Sequence, residues 1–252
     1  MAEKVALITG GSRGLGRSMA LHLADAGVGV VLTYLSQEDA AQEVVREIYA
    51  KGVPAVALKL NAGNVSEFNS FTNTVFESLI SVFETEKIDF LINNAGMGAY
   101  ASLTDTTEEQ FDALMNVHVK GVLFLTQNIL PLIRDGGSIV NVSSGLARFS
   151  LPGYGVYAAM KGAVDVMTRY FATELAERGI TVNTIAPGAI ETDFGGGAVR
   201  DNADVNAFVS SMTALGRAGV PDDIGGSVAS LLTGNNQWIT GQRIEVSGGM
   251  FL

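Results

Sequence analysis

The chain has 252 residues, 47% of them apolar and 17% charged, with a net charge of −10 and no cysteine. That length suits one large α/β domain with a sizeable core. The negative field opposes nucleic acid and anionic membrane as partners, and the absence of thiols excludes disulfides, thiolate catalysis and cysteine metal sites. A phosphate ligand stays open, because short-range hydrogen bonds at one site outrank a screened global field. Met1 runs directly into VALITG, which leaves no room for a signal peptide, and no apolar run reaches the ~18 residues of a membrane span. The expectation is a cytoplasmic protein.

In chain order, short apolar runs alternate with longer amphipathic stretches. VALIT (5–9) reads as a first strand, apolar throughout as strands covered on both faces tend to be. TGGSRGLG (9–16) follows it and opens a helical pattern near 14–26. Glycines there let the backbone turn tightly and approach a pyrophosphate, and the helix start offers free N–H groups at the positive end of a dipole. Gly10, Ser12, Arg13, Gly14, Leu15 and Gly16 are the candidate contacts. A bare strand-to-helix turn would also use glycines; the place after the first strand of an alternating pattern favours a dinucleotide.

The second strand is VVLTY (30–34). NAD sites put a carboxylate near its end for the ribose 2′-hydroxyl, whereas NADP sites need a cation. Here the strand end reads Leu32-Thr33-Tyr34-Leu35-Ser36, and Glu38 and Asp39 look like first-turn residues of the next helix (38–51). Arg13 can grip a 2′-phosphate with Ser36 donating to it, so NADP(H) is expected over NAD(H). The third strand is AVALKL (55–60), followed by a helix near 66–86. IDFLIN (88–93) is the fourth, followed by NNAG and a helix over 107–132. SIVNV (138–142) is the fifth, followed by a helix over 155–178; ITVNTIA (180–186) is the sixth and QRIEV (242–246) the seventh, with a helix at 221–233 between them. Such βα alternation predicts an α/β, Rossmann-type fold: a doubly wound, mostly parallel seven-stranded sheet with right-handed crossovers and helices on both faces, in one domain over 1–252. The Gly-rich segment 188–216 breaks the rhythm, and reads either as a substrate lid or as a disordered surface loop.

The residues richest in chemistry lie in YAAMK. Tyr157 and Lys161 are one helical turn apart, so phenol and ammonium share a face, with Ser144 upstream in NVSSG. A free tyrosine, with a pKa of roughly 10, is a poor acid-base catalyst at neutral pH. A fixed cation favours the phenolate, and a shift of ~3 units would represent ~4 kcal/mol. Ser144 could hold a reacting oxygen while Tyr157 moves the proton. A solvated surface pair would show the same spacing.

Taken together, TGGSRGLG, NNAG (93–96), Asn116, the Ser143-Ser144 pair, YAAMK and PGAIET (187–192) resemble the short-chain dehydrogenase/reductase family, in the branch that matches this chain's length and is similar to 3-oxoacyl-carrier-protein reductase-like carbonyl reductases. The resemblance covers essentially the whole chain. It implies that Tyr157 is the proton donor in carbonyl reduction and the base in alcohol oxidation. It implies that Lys161 lowers the pKa of Tyr157 and binds the nicotinamide ribose, and that Ser144 positions the substrate oxygen. Asn116 resembles the residue that keeps a helix kinked and holds a water in a proton relay beyond Lys161. Asn94, Ala95 and Gly96 resemble the turn under the cofactor; Pro187, Gly188, Ile190 and Thr192 resemble the segment that binds the carboxamide. Thr192 and Asp193 could instead cap the next helix. Asn61 stands where members often carry Asp near the adenine, and Tyr34 where an NAD-type member carries its acid. His22 and His118 read as structural, with no metal site implied, and Trp238 as packing the C-terminal region.

The expected activity is reversible NADP(H)-dependent hydride transfer to a ketone or aldehyde. Leu146, Phe149, Leu151, Tyr154, Phe194 and Val199 would line an apolar or aromatic pocket, and Arg148 and Arg200 are either carboxylate ligands or solvated. A 3-oxoacyl-[acyl-carrier-protein] reductase ranks second, since the acidic surface opposes an acidic carrier and only Arg178 offers a contact. A non-catalytic NADP(H)-binding regulator, or a dehydratase or epimerase, uses the same residues. The resemblance implies a homotetramer, or a dimer, through the helices at 107–132 and 155–178 and the end Gly249–Leu252.

Overall fold

The computed structural model describes residues 3–252; Met1, on which the reading of the signal peptide rests, lies outside the described residues. Seven strands, β1 (Val5–Ile8), β2 (Gly29–Tyr34), β3 (Ala55–Lys59), β4 (Ile88–Asn93), β5 (Ile133–Val142), β6 (Thr181–Pro187) and β7 (Arg243–Val246), form one sheet in the order β3-β2-β1-β4-β5-β6-β7. Every strand pair is parallel. The helices are α1 (Gly14–Asp25), α2 (Glu38–Ala50), α3 (Phe68–Phe83), α4 (Glu108–Met115), α5 (Gly121–Ile129), α6 (Gly155–Glu174), α7 (Ala198–Asp201), α8 (Ala203–Ser211) and α9 (Pro221–Thr233). Parallel pairing obliges every crossover to pass over a face of the sheet, so both faces are covered and the central strands are buried along most of their length.

Alternation along β1 shows how the two cores arise. Ala6 and Ile8 point into one face, against Met19 and Leu23 of α1, Val44 and Ile48 of α2, and Ile224 and Val228 of α9. Val5 and Leu7 point into the other, against Phe68, Phe71 and Leu79 of α3 and Leu125 and Ile129 of α5. Strand order reverses between β1 and β4, and such a switch point opens a crevice at the carboxyl ends of the strands. The turns after β1, β4, β5 and β6 all end at that edge.

Three details differ from the sequence expectations. The helix expected over 107–132 is interrupted by a π-turn, Asn116–Lys120, where the Gly121 N–H reaches back to the Asn116 carbonyl. β5 begins at Ile133, ahead of the apolar run, because Ile133 pairs with Ile88 before a register shift admits the polar stretch Arg134–Gly136. Trp238, expected to pack the C-terminal region, is 99% exposed. The 188–216 segment is folded. Gly195, Gly196 and Gly197 have left-handed φ of 62°, 74° and 78°, a run open to glycine and strained for other residues. They turn the chain into α7 and α8, which pack Val209 on Ala218 and Met250 with Phe149, Val199 and Phe251 alongside. Among the described residues no helix is long and apolar enough to cross a membrane.

Candidate active site

The glycine loop and the NNAG turn are bonded into one unit. Thr9 Oγ1 accepts the main-chain N–H groups of Asn94 and Ala95, each at 2.9 Å. Asn94 Nδ2 donates to the Thr9 and Gly10 carbonyls at 2.8 and 3.0 Å. A Cβ at Gly16 would lie 2.1 Å from the Gly10 oxygen, so the first turn of α1 presses on the loop at a point where only glycine fits. Arg13 is the N-cap of α1 and its side chain makes no capping bond, which leaves the first-turn N–H groups directed at the crevice. Ser12 is buried in the loop, and Leu15 packs on the first core.

At the adenine end, Tyr34 closes β2. Its phenol is raised by burial and by a hydrogen bond to Glu38, so the acid read only as a first-turn residue also reaches the strand end. Ser36 is exposed. Asn61 Oδ1 accepts the Gly63 N–H at 3.0 Å, which leaves its Nδ2 for other partners. Arg13 reaches across the crevice, with Nη1 3.5 Å from Asp193 Oδ2. It must leave that carboxylate to grip a phosphate.

The segment after β6 covers the crevice. Gly188 N–H donates to the Val246 carbonyl at 3.1 Å, and Ile190 forms a β-bridge with Gly219. Thr192 Oγ1 accepts the Phe194 N–H at 3.2 Å in a local turn, while Asp193, the N-cap of the next helical turn, makes no side-chain capping bond. Phe194 brings its ring within 5.7 Å of the Tyr157 ring. Leu146 packs in the Tyr157 cluster, and Tyr154 meets Tyr100 edge-on at 5.4 Å. Phe149 packs its ring at a tilt on Phe251, 4.7 Å between centroids, lies against Gly145, and with Val199 belongs to the cluster beneath α8. Arg148 forks onto Glu245 at 2.7 and 2.8 Å, and Arg200 pairs with Asp193 and Asp201. Both are ion-paired to carboxylates of the protein and remain substantially exposed, in keeping with the solvated alternative.

Tyr157 and Lys161 share the buried face of α6. Lys161 Nζ donates to the Val142 carbonyl at 2.7 Å and lies 5.6 Å from the Tyr157 ring centroid. Ser144 leads off a tight turn over Gly145–Ala147, its Oγ accepting the Leu146 N–H at 3.2 Å and interacting with the Tyr157 phenol. Asn116 is placed elsewhere. Its Cβ is 3.9 Å from where a Gly63 Cβ would be, beside the loop after β3, and its main chain supplies the π-turn. That turn delivers His118 to the tyrosine, ring centroids 5.4 Å apart and planes at 87°. The place of His118 in an amphipathic helix predicts only a structural role. Its Nε2 lies 2.7 Å from the Met97 carbonyl and 3.3 Å from the Met97 N–H, and its buried Nδ1 has no hydrogen-bond partner among the described residues.

A family profile described as enoyl-(acyl carrier protein) reductase matches residues 10–251. The chain belongs to the short-chain dehydrogenase/reductase family. It is 38% identical over 252 residues to a 3-oxoacyl-[acyl-carrier-protein] reductase, FabG, of Staphylococcus epidermidis, covering 99% of this chain and 100% of that one. Among solved structures, a promiscuous reductase, LugOII, of lugdunomycin biosynthesis superposes with a TM-score of 0.94 at 35% identity, covering 100% of this chain and 99% of that one. A landomycin C-6 ketoreductase, LanV, solved with bound NADP and rabelomycin, superposes with a TM-score of 0.90 at 35% identity, covering 99% and 97%.

The electrostatics of this family member differ from the sequence expectation. Tyr157 was expected to be lowered by Lys161. In the free protein burial raises the phenol, and Ser144 only partly offsets that. Burial also lowers Lys161 to about 8, opposed in part by Asp165, and brings His118 down to about 3, with Lys161 adding to the effect. Loss of water penalises each charged form more than the neighbouring charge favours it. Lys161 is thus a base whose pKa is depressed on folding. Its penalty is complete below about 8 and fades as pH climbs to the unfolded value near 10.5. We predict that Lys161→Met unfolds at the same or a higher temperature than wild type at pH 7, relieving a charge-burial cost of about 3 kcal/mol. That advantage shrinks between pH 8 and 10.5. Thermal unfolding across that range checks it.

Proposed function

We propose that the chain is an NADP(H)-dependent carbonyl reductase, reversible in the direction of alcohol oxidation. The observation that carries this reading is the meeting of the Ser144 hydroxyl, the Tyr157 phenol and the buried Lys161 beside a glycine loop at the switch point. The crevice fits a dinucleotide: an uncapped helix start, a cradle with no room for a Cβ at Gly16, and a cation at Arg13. Once bound, the dinucleotide supplies the hydride to the carbonyl carbon. Ser144 donates a hydrogen bond to the substrate oxygen, and Tyr157 gives that oxygen its proton. The raised phenol is protonated at neutral pH, as a reduction requires. Lys161 faces the phenolate so formed and favours its charge, and an ammonium with a pKa of about 8 releases a proton readily to restore the tyrosine. Asn94, Ala95, Gly96, Pro187, Gly188, Ile190 and Thr192 shape the floor and cover of the crevice, and Asn116 contributes the π-turn.

NADP(H) is favoured over NAD(H) by Arg13, by a tyrosine in place of an acid at the end of β2, and by LanV, solved with NADP. Phe194, Tyr154, Tyr100 and Leu146 around the mouth suit an apolar or aromatic ketone, and the segment 188–216 serves as the lid. The likeness to FabG favours a second reading, a 3-oxoacyl-[acyl-carrier-protein] substrate. Against it stand the net charge of −10 and Arg178, which is already committed to Asp135 and to the Leu130 and Ile133 carbonyls. The assembly proposed is a homotetramer in the cytoplasm, supported by Leu123, Val166 and Tyr170 exposed on α5 and α6.

A carbonyl panel followed by loss of NADPH absorbance tests the activity. Tyr157→Phe should reduce turnover by at least ~10³-fold while NADPH binding is retained; comparable turnover refutes the role. The reduction rate should hold from pH 6 to 7 and decline as pH passes about 8, where Lys161 discharges. Arg13→Ala should raise KM for NADPH roughly tenfold or more and leave NADH little changed; equal effects on both cofactors overturn the 2′-phosphate assignment.

A further inference from the structure

Behind the reacting groups, the ion pairs of β7 form one connected chain. Arg243 places Nε 3.0 Å from Asp165 Oδ2, Nη1 2.8 Å from Glu245 Oε2, and Nη2 2.9 Å from the main-chain oxygen of Ser144. Glu245 also receives the fork from Arg148, which donates in addition to the Met250 and Phe251 carbonyls. The turn that carries Ser144 is therefore tied to β7 and the C-terminal segment at both its ends.

Asp165 follows Lys161 on α6 as Lys161 follows Tyr157, one turn at each step, so the three lie along one face. Asp165 is largely buried, and its Oδ1 is fully enclosed without a hydrogen-bond partner among the described residues. An enclosed carboxylate is costly unless a cation faces it and donates to it. Arg243 is that cation. The groups that bear on Lys161 are Tyr157 and Asp165 from α6, His118 from the π-turn and the Val142 carbonyl from β5. Arg243 stands behind Asp165 on β7, with Glu245 beyond it. An anion beside Lys161 holds its proton on, and a cation drives it off.

We propose that Arg243 and Asp165 are a positioning pair for the proton-transfer site: Arg243 fixes the Ser144 main chain, and the paired charges balance each other's pull on Lys161. This rests on the reading of Ser144, Tyr157 and Lys161 as the proton-transfer group. Nothing in the reaction scheme requires either residue to touch the substrate.

The signs are opposite for the two partners. Asp165→Asn removes the anion and leaves Arg243 unopposed, so Lys161 should lose its proton at lower pH. Arg243→Met removes the cation and frees the carboxylate, so Lys161 should hold its proton to higher pH. The test is an NMR titration of Lys161 in protein labelled at lysine Cε, the resonance assigned by its loss in Lys161→Met. Each single variant should move the midpoint by about one pH unit, in those directions, and the double variant should return it close to wild type. Should Arg243→Met fail to fold, Asp165→Asn carries the titration, because it leaves no buried anion behind. A midpoint unmoved in Asp165→Asn overturns the proposal. Arg243→Lys keeps a cation and loses the Nη2 bond to the Ser144 main chain; its midpoint should stay near wild type while kcat for carbonyl reduction falls roughly tenfold at unchanged KM for NADPH. The titration needs neither substrate nor cofactor. A wild type inactive on the carbonyl panel defeats the proposed function alone, whereas an active wild type with unmoved midpoints defeats the pair alone.

Discussion

One buried ammonium organises this molecule. Lys161 has lost nearly all its water and is held by a single short bond to the carbonyl at the end of β5. A cation in that position costs folding energy, so the surrounding fold has to be rigid enough to tolerate it. The rigidity comes from the sheet, since Val142 is fixed by β5 pairing between β4 and β6. Behind it a buried polar chain runs from Asn93 to Asn141, Thr168 and Thr184, tying β4, β5 and β6 to α6. The first asparagine of NNAG belongs to this scaffold, whereas the second holds the glycine loop.

The same burial sets the chemistry. Withdrawing water raises Tyr157 and lowers Lys161, so each is pushed toward its neutral form: the phenol keeps its proton and the ammonium gives one up more easily. A tyrosine that stays protonated is a competent donor, and a lysine near its titration point is a competent reservoir. His118 adds a neutral neighbour rather than a charged one: with its pKa at about 3 it stays uncharged across the working range, so it packs on the tyrosine without adding to the positive field.

How far the sequence could be read follows from which signals are local. The strands are legible because βαβ crossovers bury both faces, and the glycine loop because only glycine lets α1 approach Gly10. Tyr157 and Lys161 are legible because one helical turn is a fixed distance. His118 is not. Its delivery to Tyr157 depends on a π-turn that shifts the register between α4 and α5, and no residue type announces that insertion. The helix break itself falls at Asn116, where the family resemblance implies a kink, and the side chain that meets Tyr157 stands two positions later. Arg243 and Asp165 were equally invisible, because they are far apart in sequence and ordinary in composition. Phe149 and Val199 also help to build a small core beneath α8, and sequence cannot separate a residue that lines a pocket from one that packs under it.

Arg13 shows how charge and cover are coupled. In the free protein its guanidinium leans on Asp193, which also carries Arg200. Both partners of the Arg13 pair are largely exposed, and exposed pairs of that kind contribute little to stability. A phosphate ester presents more charge and more acceptor oxygens than one carboxylate, so the exchange runs toward the cofactor. Losing Arg13 does not strand Asp193, because Arg200 of α7 remains on it. Asp193 can therefore release the Arg13 cation without leaving its own charge unpaired, and Thr192 and Phe194 beside it hold a turn and a contact with Tyr157 that do not involve Arg13.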